Sequence, residues 1–86
     1  MEIVLSEKAK AHVEYWNKTN NKTIQKRISE LKDAILKNPW QGIGKPERLK
    51  HQLSGKWSRR IDNTNRFVYS IENNVLHIYS LKGHYD

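Results

Sequence analysis

The pattern of apolar and polar positions changes period partway along the chain. Glu2 to Leu5, "EIVL", is a short apolar run closed by Ser6 and Glu7. This predicts a strand leading into a helix, with a hydroxyl at the N-cap and a carboxylate in the first turn, where the helix dipole favours negative charge. Ala9, Val13 and Trp16 then recur at spacings of four and three, one face of a helix that ends in the polar cluster "NKTNN". Ile24, Ile28, Leu31 and Ile35 repeat at four, three and four, while Lys26, Arg27, Glu30 and Asp33 point elsewhere. Pro39 stops this second helix, because the residue before a proline is pushed out of the helical region. Two amphipathic helices joined by a few polar residues predict an antiparallel hairpin with one apolar side.

Beyond Pro39 the helical period is lost. "WQGIGKPERLKHQLSG" holds three of the four glycines and the second proline, and reads as a long loop ending near Gly55 with a helical turn in it. "KWSRRI" alternates, which places Trp57, Arg59 and Ile61 on one face and Lys56, Ser58 and Arg60 on the other. A polar turn, "DNTN", follows. "RFVYSI" and "VLHIYSL" are then two strands joined through "ENN", where asparagine tolerates the positive φ of a tight hairpin. This order predicts an α+β fold, a mostly antiparallel sheet with the N-terminal helix hairpin packed on one face, in a single domain over residues 1–86. The last two strands carry apolar residues on both sides. One side covers the helices, and the other is left for a partner or a partly apolar cleft.

Charge adds the first functional constraint. Sixteen Lys and Arg against nine Asp and Glu give a formal charge of +7, so a polyanion is the expected partner, nucleic acid ahead of an anionic membrane surface. No apolar run approaches the ~20 residues that span a bilayer, and "MEIVLSEK" is too short for a signal peptide, so the expected location is the cytoplasm. The absence of cysteine excludes disulfides, thiolate zinc sites and cysteine nucleophiles. The four histidines are scattered without the i, i+4 pairing of a helical metal site, so neither metal nor other cofactor is expected.

Cutting RNA without a metal requires a base for the ribose 2'-hydroxyl, an acid for the departing 5'-oxygen and a cation for the charge gathering on the phosphoryl oxygens. The chain offers these types where exposure is expected. Glu47 lies between Pro46 and Arg48, with Lys45 and Lys50 nearby. Arg66 opens a strand, and His84 and Tyr85 stand side by side after the last one. Each also has a plainer reading: a solvated loop carboxylate, a surface arginine, an edge-strand "SRR", a lid folded on the sheet. His12 reads as a surface or boundary residue, His77 as a sheet residue beside a polar neighbour, and His51 as either an RNA contact or a loop residue. Trp57 alternates with Ile61 and reads as core packing.

Taken together, "GKPERLKHQLSGKWSRRI", "NRFVYSI" and the final "HY", with "IVLSEKA", "YW" and "NPWQGIGKPE" before them, resemble the Txe/YoeB toxin family within the RelE-like group, over essentially the whole chain. The resemblance implies the toxic half of a type II toxin-antitoxin pair, a ribosome-dependent messenger endoribonuclease that needs no cofactor. It implies Glu47 as general base, Arg66 as the cation that stabilises the phosphorane-like transition state, His84 as general acid and Tyr85 as the residue orienting the scissile phosphate. Lys50 and Arg60 match family basic residues by position. With Lys45, His51 and Arg59 they make the expected set of RNA and ribosome contacts. The implied partners are a cognate YefM-like antitoxin, the messenger and the 16S rRNA of the ribosome, with dimerisation known in the family. Two features depart from its usual ending: Gly83, expected to loosen the tail, and Asp86 after the tyrosine. A non-catalytic RNA- or ribosome-binding module and a ribosome-independent RNase are the alternatives.

Overall fold

The computed structural model describes residues 1–84. The chain runs through β1 (Glu2–Leu5), α1 (Glu7–Lys18), α2 (Lys22–Lys37), β2 (Glu47–Arg48), a 3-10 turn (His51–Leu53), β3 (Trp57–Arg60), β4 (Arg66–Glu72) and β5 (Val75–Ser80). Both helices start on side-chain caps: Ser6 Oγ accepts from the Ala9 N–H at 3.0 Å, and Asn21 Oδ1 from that of Ile24 at 3.1 Å. Each satisfies an amide that the first helical turn leaves without a partner. The second helix ends at Lys37, two residues before Pro39.

The strands form one sheet in the order β1-β5-β4-β3-β2. β1 runs parallel to β5, and the other pairs are antiparallel. Asn73 and Asn74 take φ of 51° and 61° in the β4–β5 turn, the left-handed pair that a two-residue hairpin needs. The helices cover one side of the sheet. Ala9, Trp16, Ile24, Leu31 and Ile35 meet Ile61, Phe67, Tyr69, Leu76, Ile78 and Leu81 there. Trp16 Nε1 donates to the Leu81 carbonyl at 3.0 Å, so the end of β5 is tied to α1.

The long loop is more ordered than its composition suggests. It contains the expected helical turn and, in addition, β2, which pairs Glu47 with Ser58 and Arg48 with Trp57. Two residues are too few to show an alternation, so only the pairing reveals this strand. Gly44 explains why the loop lies so close: its carbonyl accepts from the Arg60 N–H at 2.6 Å, and a Cβ at this position would sit 2.7 Å from Leu31 Cδ2. Its φ of +85° also favours glycine.

Arg59 corrects an expectation. Named above among the RNA and ribosome contacts, it is 0% exposed. The alternation of β3 turns it toward the helices, where residues 38–43 fold over it. Its Nη2 donates to the carbonyls of Asn38 (2.6 Å) and Gln41 (3.1 Å), its Nη1 to that of Ile43 (3.2 Å) and its Nε to Tyr69 Oη (3.1 Å). Tyr69 Oη in turn donates to the Pro39 carbonyl at 2.6 Å. Burial raises the Tyr69 phenol above its ordinary pKa even though Arg59 opposes the shift, so the hydroxyl remains a donor. A loop without helix or sheet points several carbonyls inward, and one forked guanidinium satisfies them.

Candidate functional site

Strand register defines a line of residues on the sheet face away from the helices. Glu47 is opposite Ser58, Ser58 opposite Val68, and Val68 opposite Ser80. Cross-strand partners share a face, so Glu47, Ser58 and Val68 lie in line from the edge strand β2 to β4, where a bulge between Val68 and Tyr69 shifts the pairing with β5. Arg66 lies two residues before Val68 and opposite Arg60, on the same face. Glu47, Arg60 and Arg66 are thereby grouped through backbone pairing alone.

His84 is brought to this face by a clamp on the residue before it. The Gly83 N–H donates to Asn65 Oδ1 at 2.9 Å, and the Gly83 carbonyl accepts from the Arg66 N–H at 3.0 Å. Asn65 is itself held. Its Nδ2 donates to both oxygens of Asp62 at 3.1 and 3.2 Å, and Asp62 Oδ1 also accepts from the backbone amides of Thr64 and Asn65. Burial pushes the Asp62 carboxyl up, but these hydrogen bonds from Thr64 and Asn65 outweigh it and hold the carboxyl below the usual range. Gly83 sits at φ +77°. It takes a left-handed conformation that lets both of its backbone groups be used. His84 follows it, exposed, at the rim of a cavity of about 350 Å³ that Val68 and Ser80 also line.

The basic residues divide. Lys50 and His51 are exposed and border two surface depressions, one of which also takes in Glu47. Arg48 packs its guanidinium over the Trp57 ring at 5.8 Å. Lys45 is exposed at φ 52° on the loop leading into β2. Arg60 is exposed, and Arg59 is excluded by burial. Tyr85 lies outside the described residues. Sequence reasoning passed over Asp62 and Asn65 as a polar turn. Their signal was present in "DNTN", since Asp and Asn side chains bond the backbone a few residues on, but nothing local pointed to Gly83, eighteen positions away.

Comparison with known proteins shows the family. The profile of the YoeB-like toxin of bacterial type II toxin-antitoxin systems matches residues 5–85. The chain belongs to the YoeB-like toxin family. A Synechocystis toxin YoeB is 49% identical over 74 residues, 86% of each chain. Among solved structures, the YoeB/ParE toxin from Agrobacterium tumefaciens superposes with a TM-score of 0.95 at 32% identity, covering 99% of this chain and 100% of that one. The toxin in the YoeB-YefM complex from Staphylococcus aureus gives 0.89 at 42% identity, covering 99% and 98%. The S. aureus YoeB dimer gives 0.89 at 41%, with the same coverage. In the present toxin no helix among the described residues is long and apolar enough to cross a membrane. No group of three or more His, Asp or Glu among those residues is placed to hold a metal ion.

Proposed function

We propose that this toxin is a ribosome-dependent messenger endoribonuclease in which Glu47, Arg66 and His84 act together. The observation that supports the reading is the register of Glu47 and Arg66 on the sheet face away from the helices, with Gly83, the residue before His84, hydrogen-bonded to Asn65 and Arg66. In this mechanism Glu47 takes the proton of a ribose 2'-hydroxyl and the 2'-oxygen attacks the adjacent phosphorus. The P–O5' bond breaks, His84 gives its proton to the leaving 5'-oxygen, and a 2',3'-cyclic phosphate and a 5'-hydroxyl result. Arg66, with Arg60 opposite it, meets the charge that builds on the phosphoryl oxygens. Tyr85 orients the scissile phosphate. RNA is the substrate because DNA lacks the nucleophile.

The open face accounts for the ribosome. A sheet face on an 86-residue chain is too small to enclose RNA, so another body has to hold the messenger in line for attack, and such orientation is worth up to about 7–11 kcal/mol. The charge of +7 provides attraction to ribosomal RNA that weakens with salt. The antitoxin partner is a YefM-like protein, as in the S. aureus complex, whose acidic segment would complement the basic face. Mapping new 5' ends after adding the purified protein to a messenger, free and on translating ribosomes, tests the proposal. Cuts are expected only on ribosomes, and Glu47→Gln and His84→Gln should each slow them about 10²–10⁴-fold. Equal cutting of free messenger would instead identify a general RNase. Translation inhibition that survives both substitutions would identify a binding module.

A further inference from the structure

The cavity that His84 borders extends well beyond the acid-base groups, and its composition suits a nucleotide. It lies between the start of α1 and β5, with Lys8 and Lys56 supplying charge, Leu53 and Val68 apolar wall, and Tyr79 an aromatic ring. At about 350 Å³ it falls within the range of roughly 300–1,000 Å³ for small-ligand sites. The ring is held in place: Tyr79 Oη and Ser70 Oγ are hydrogen-bonded at 2.8 Å. The Lys56 ammonium rests over its face, 4.2 Å from the centroid. A fixed ring next to a flexible cation serves both halves of a nucleotide, because a base stacks on the ring while the lysine swings to a phosphate.

The chemistry gives the direction of the strand. In the proposed function, on which this inference rests, Glu47 serves the nucleotide that carries the attacking 2'-hydroxyl, and His84 serves the 5'-oxygen of the next one. Glu47 sits on the edge strand β2, whereas the cavity extends from Leu53 and Lys56 past Val68 to Tyr79, Ser80 and His84 on the β5 side of the sheet. We infer that this cavity seats the nucleotide immediately 3' of the scissile phosphate, with its base on Tyr79 and its 3'-phosphate met by Lys56 and Lys8. The messenger then crosses the sheet 5' to 3' from β2 toward β1.

The test pairs a protein change with an RNA change. Cleavage rates on programmed ribosomes are measured for the wild type, Tyr79→Ala and Tyr79→Phe, each with an intact messenger and with one abasic at the nucleotide 3' of the cut. Removal of the ring or of the base alone should slow cutting roughly tenfold, and removal of both should cost little more than either alone. Tyr79→Phe, which keeps the ring, should remain near the wild type. Losses that multiply, or no loss in Tyr79→Ala, would overturn the inference, and coupling to an abasic site on the 5' side would reverse the direction. A second readout separates this from failure of the proposed function. A short RNA with a 2'-deoxy substitution at the attacking position is titrated while the side-chain NMR signals of Leu53, Val68 and Tyr79 are followed. Shifts that disappear with the abasic RNA support the cavity even if no messenger is cut, and the absence of shifts counts against it even if cutting is efficient.

Discussion

Arg59 and Arg60 are neighbours in sequence on the same strand and have opposite fates. Arg59 points into the helix side of the sheet, wholly buried, with its N–H groups on the carbonyls of Asn38, Gln41 and Ile43 and on Tyr69 Oη. Arg60 points to the other side, exposed, opposite Arg66 and beside the line that runs from Glu47 through Ser58 to Val68. A basic block that looks uniform as sequence is therefore split by the pleat into a structural half and a half that faces solvent. On the helix side a cation is tolerated because it is saturated with acceptors. On the other side Arg60 is exposed to solvent and available to a polyanion, so its effect is on binding and chemistry.

The contrast is sharpest if both arginines are removed in turn. Arg59→Ala removes the donors of three part-buried loop carbonyls, each bond to a charged donor being worth about 1.5–3 kcal/mol. A total loss of about 3 kcal/mol would lower Tm by roughly 12–24 °C in a domain of this size, measurable by calorimetry or thermal circular dichroism. Arg60→Ala should leave Tm within the ordinary range for a surface change, about ±0.5 kcal/mol. It should, however, reduce the salt dependence of ribosome binding by about one charge. Equal stability losses in the two variants would mean that the pleat does not separate their roles.

Much of the fold was legible in sequence because periodicity reports burial directly. The strand at Glu2, the Ser6 cap, both helices, the stop before Pro39 and the Asn-Asn hairpin all lie where local pattern and turn chemistry put them. What escaped was long-range. β2 is recognisable only through its pairing with β3. The basic run "SRR" groups Arg59 with its neighbours, but the alternation that places Trp57 and Ile61 inside places Arg59 there too, and for burial period is a better guide than charge. The clamp at Gly83 was equally hidden, because a turn at Asp62 to Asn65 gives no local sign of the distant amide it will bind.

The clamp offers a smaller test on the open side. Asn65→Ala removes the acceptor for the Gly83 amide and the tie to Asp62, a change worth about 1 kcal/mol in stability, or roughly 4–8 °C in Tm. Its larger consequence should be local. The Gly83 amide should exchange faster with deuterium while amides of the core strands keep their protection. The exchange pair Asp62→Asn with Asn65→Asp should restore the protection, since an amide at 62 can donate to a carboxylate at 65, which still accepts from Gly83. Unchanged exchange at Gly83 in Asn65→Ala would remove the clamp as the device that places His84.

The helix side has a comparable single bond, and its smaller effect depends on pH. His12 Nδ1 accepts from the Leu81 N–H at 3.0 Å, fixing the end of β5 as Trp16 does from the next turn of α1. Burial, followed by repulsion from Lys8 and Lys82, holds the imidazole below its ordinary pKa. Protonation would turn the accepting nitrogen into a donor facing another donor. Because the folded value is depressed, the unfolded chain takes up the proton first as pH falls. The stabilisation is fully present above the unfolded value near 6.5 and is lost as pH drops through the lowered folded value. Asparagine at this position presents an oxygen where Nδ1 stood and has no proton to gain. The Tm of His12→Asn should therefore fall less than that of the wild type between pH 7.5 and 5.5, by a difference of a few degrees at most. The remaining histidines are common to both proteins and cancel in the comparison, so parallel Tm curves would show that the His12 bond does not couple the tail to pH.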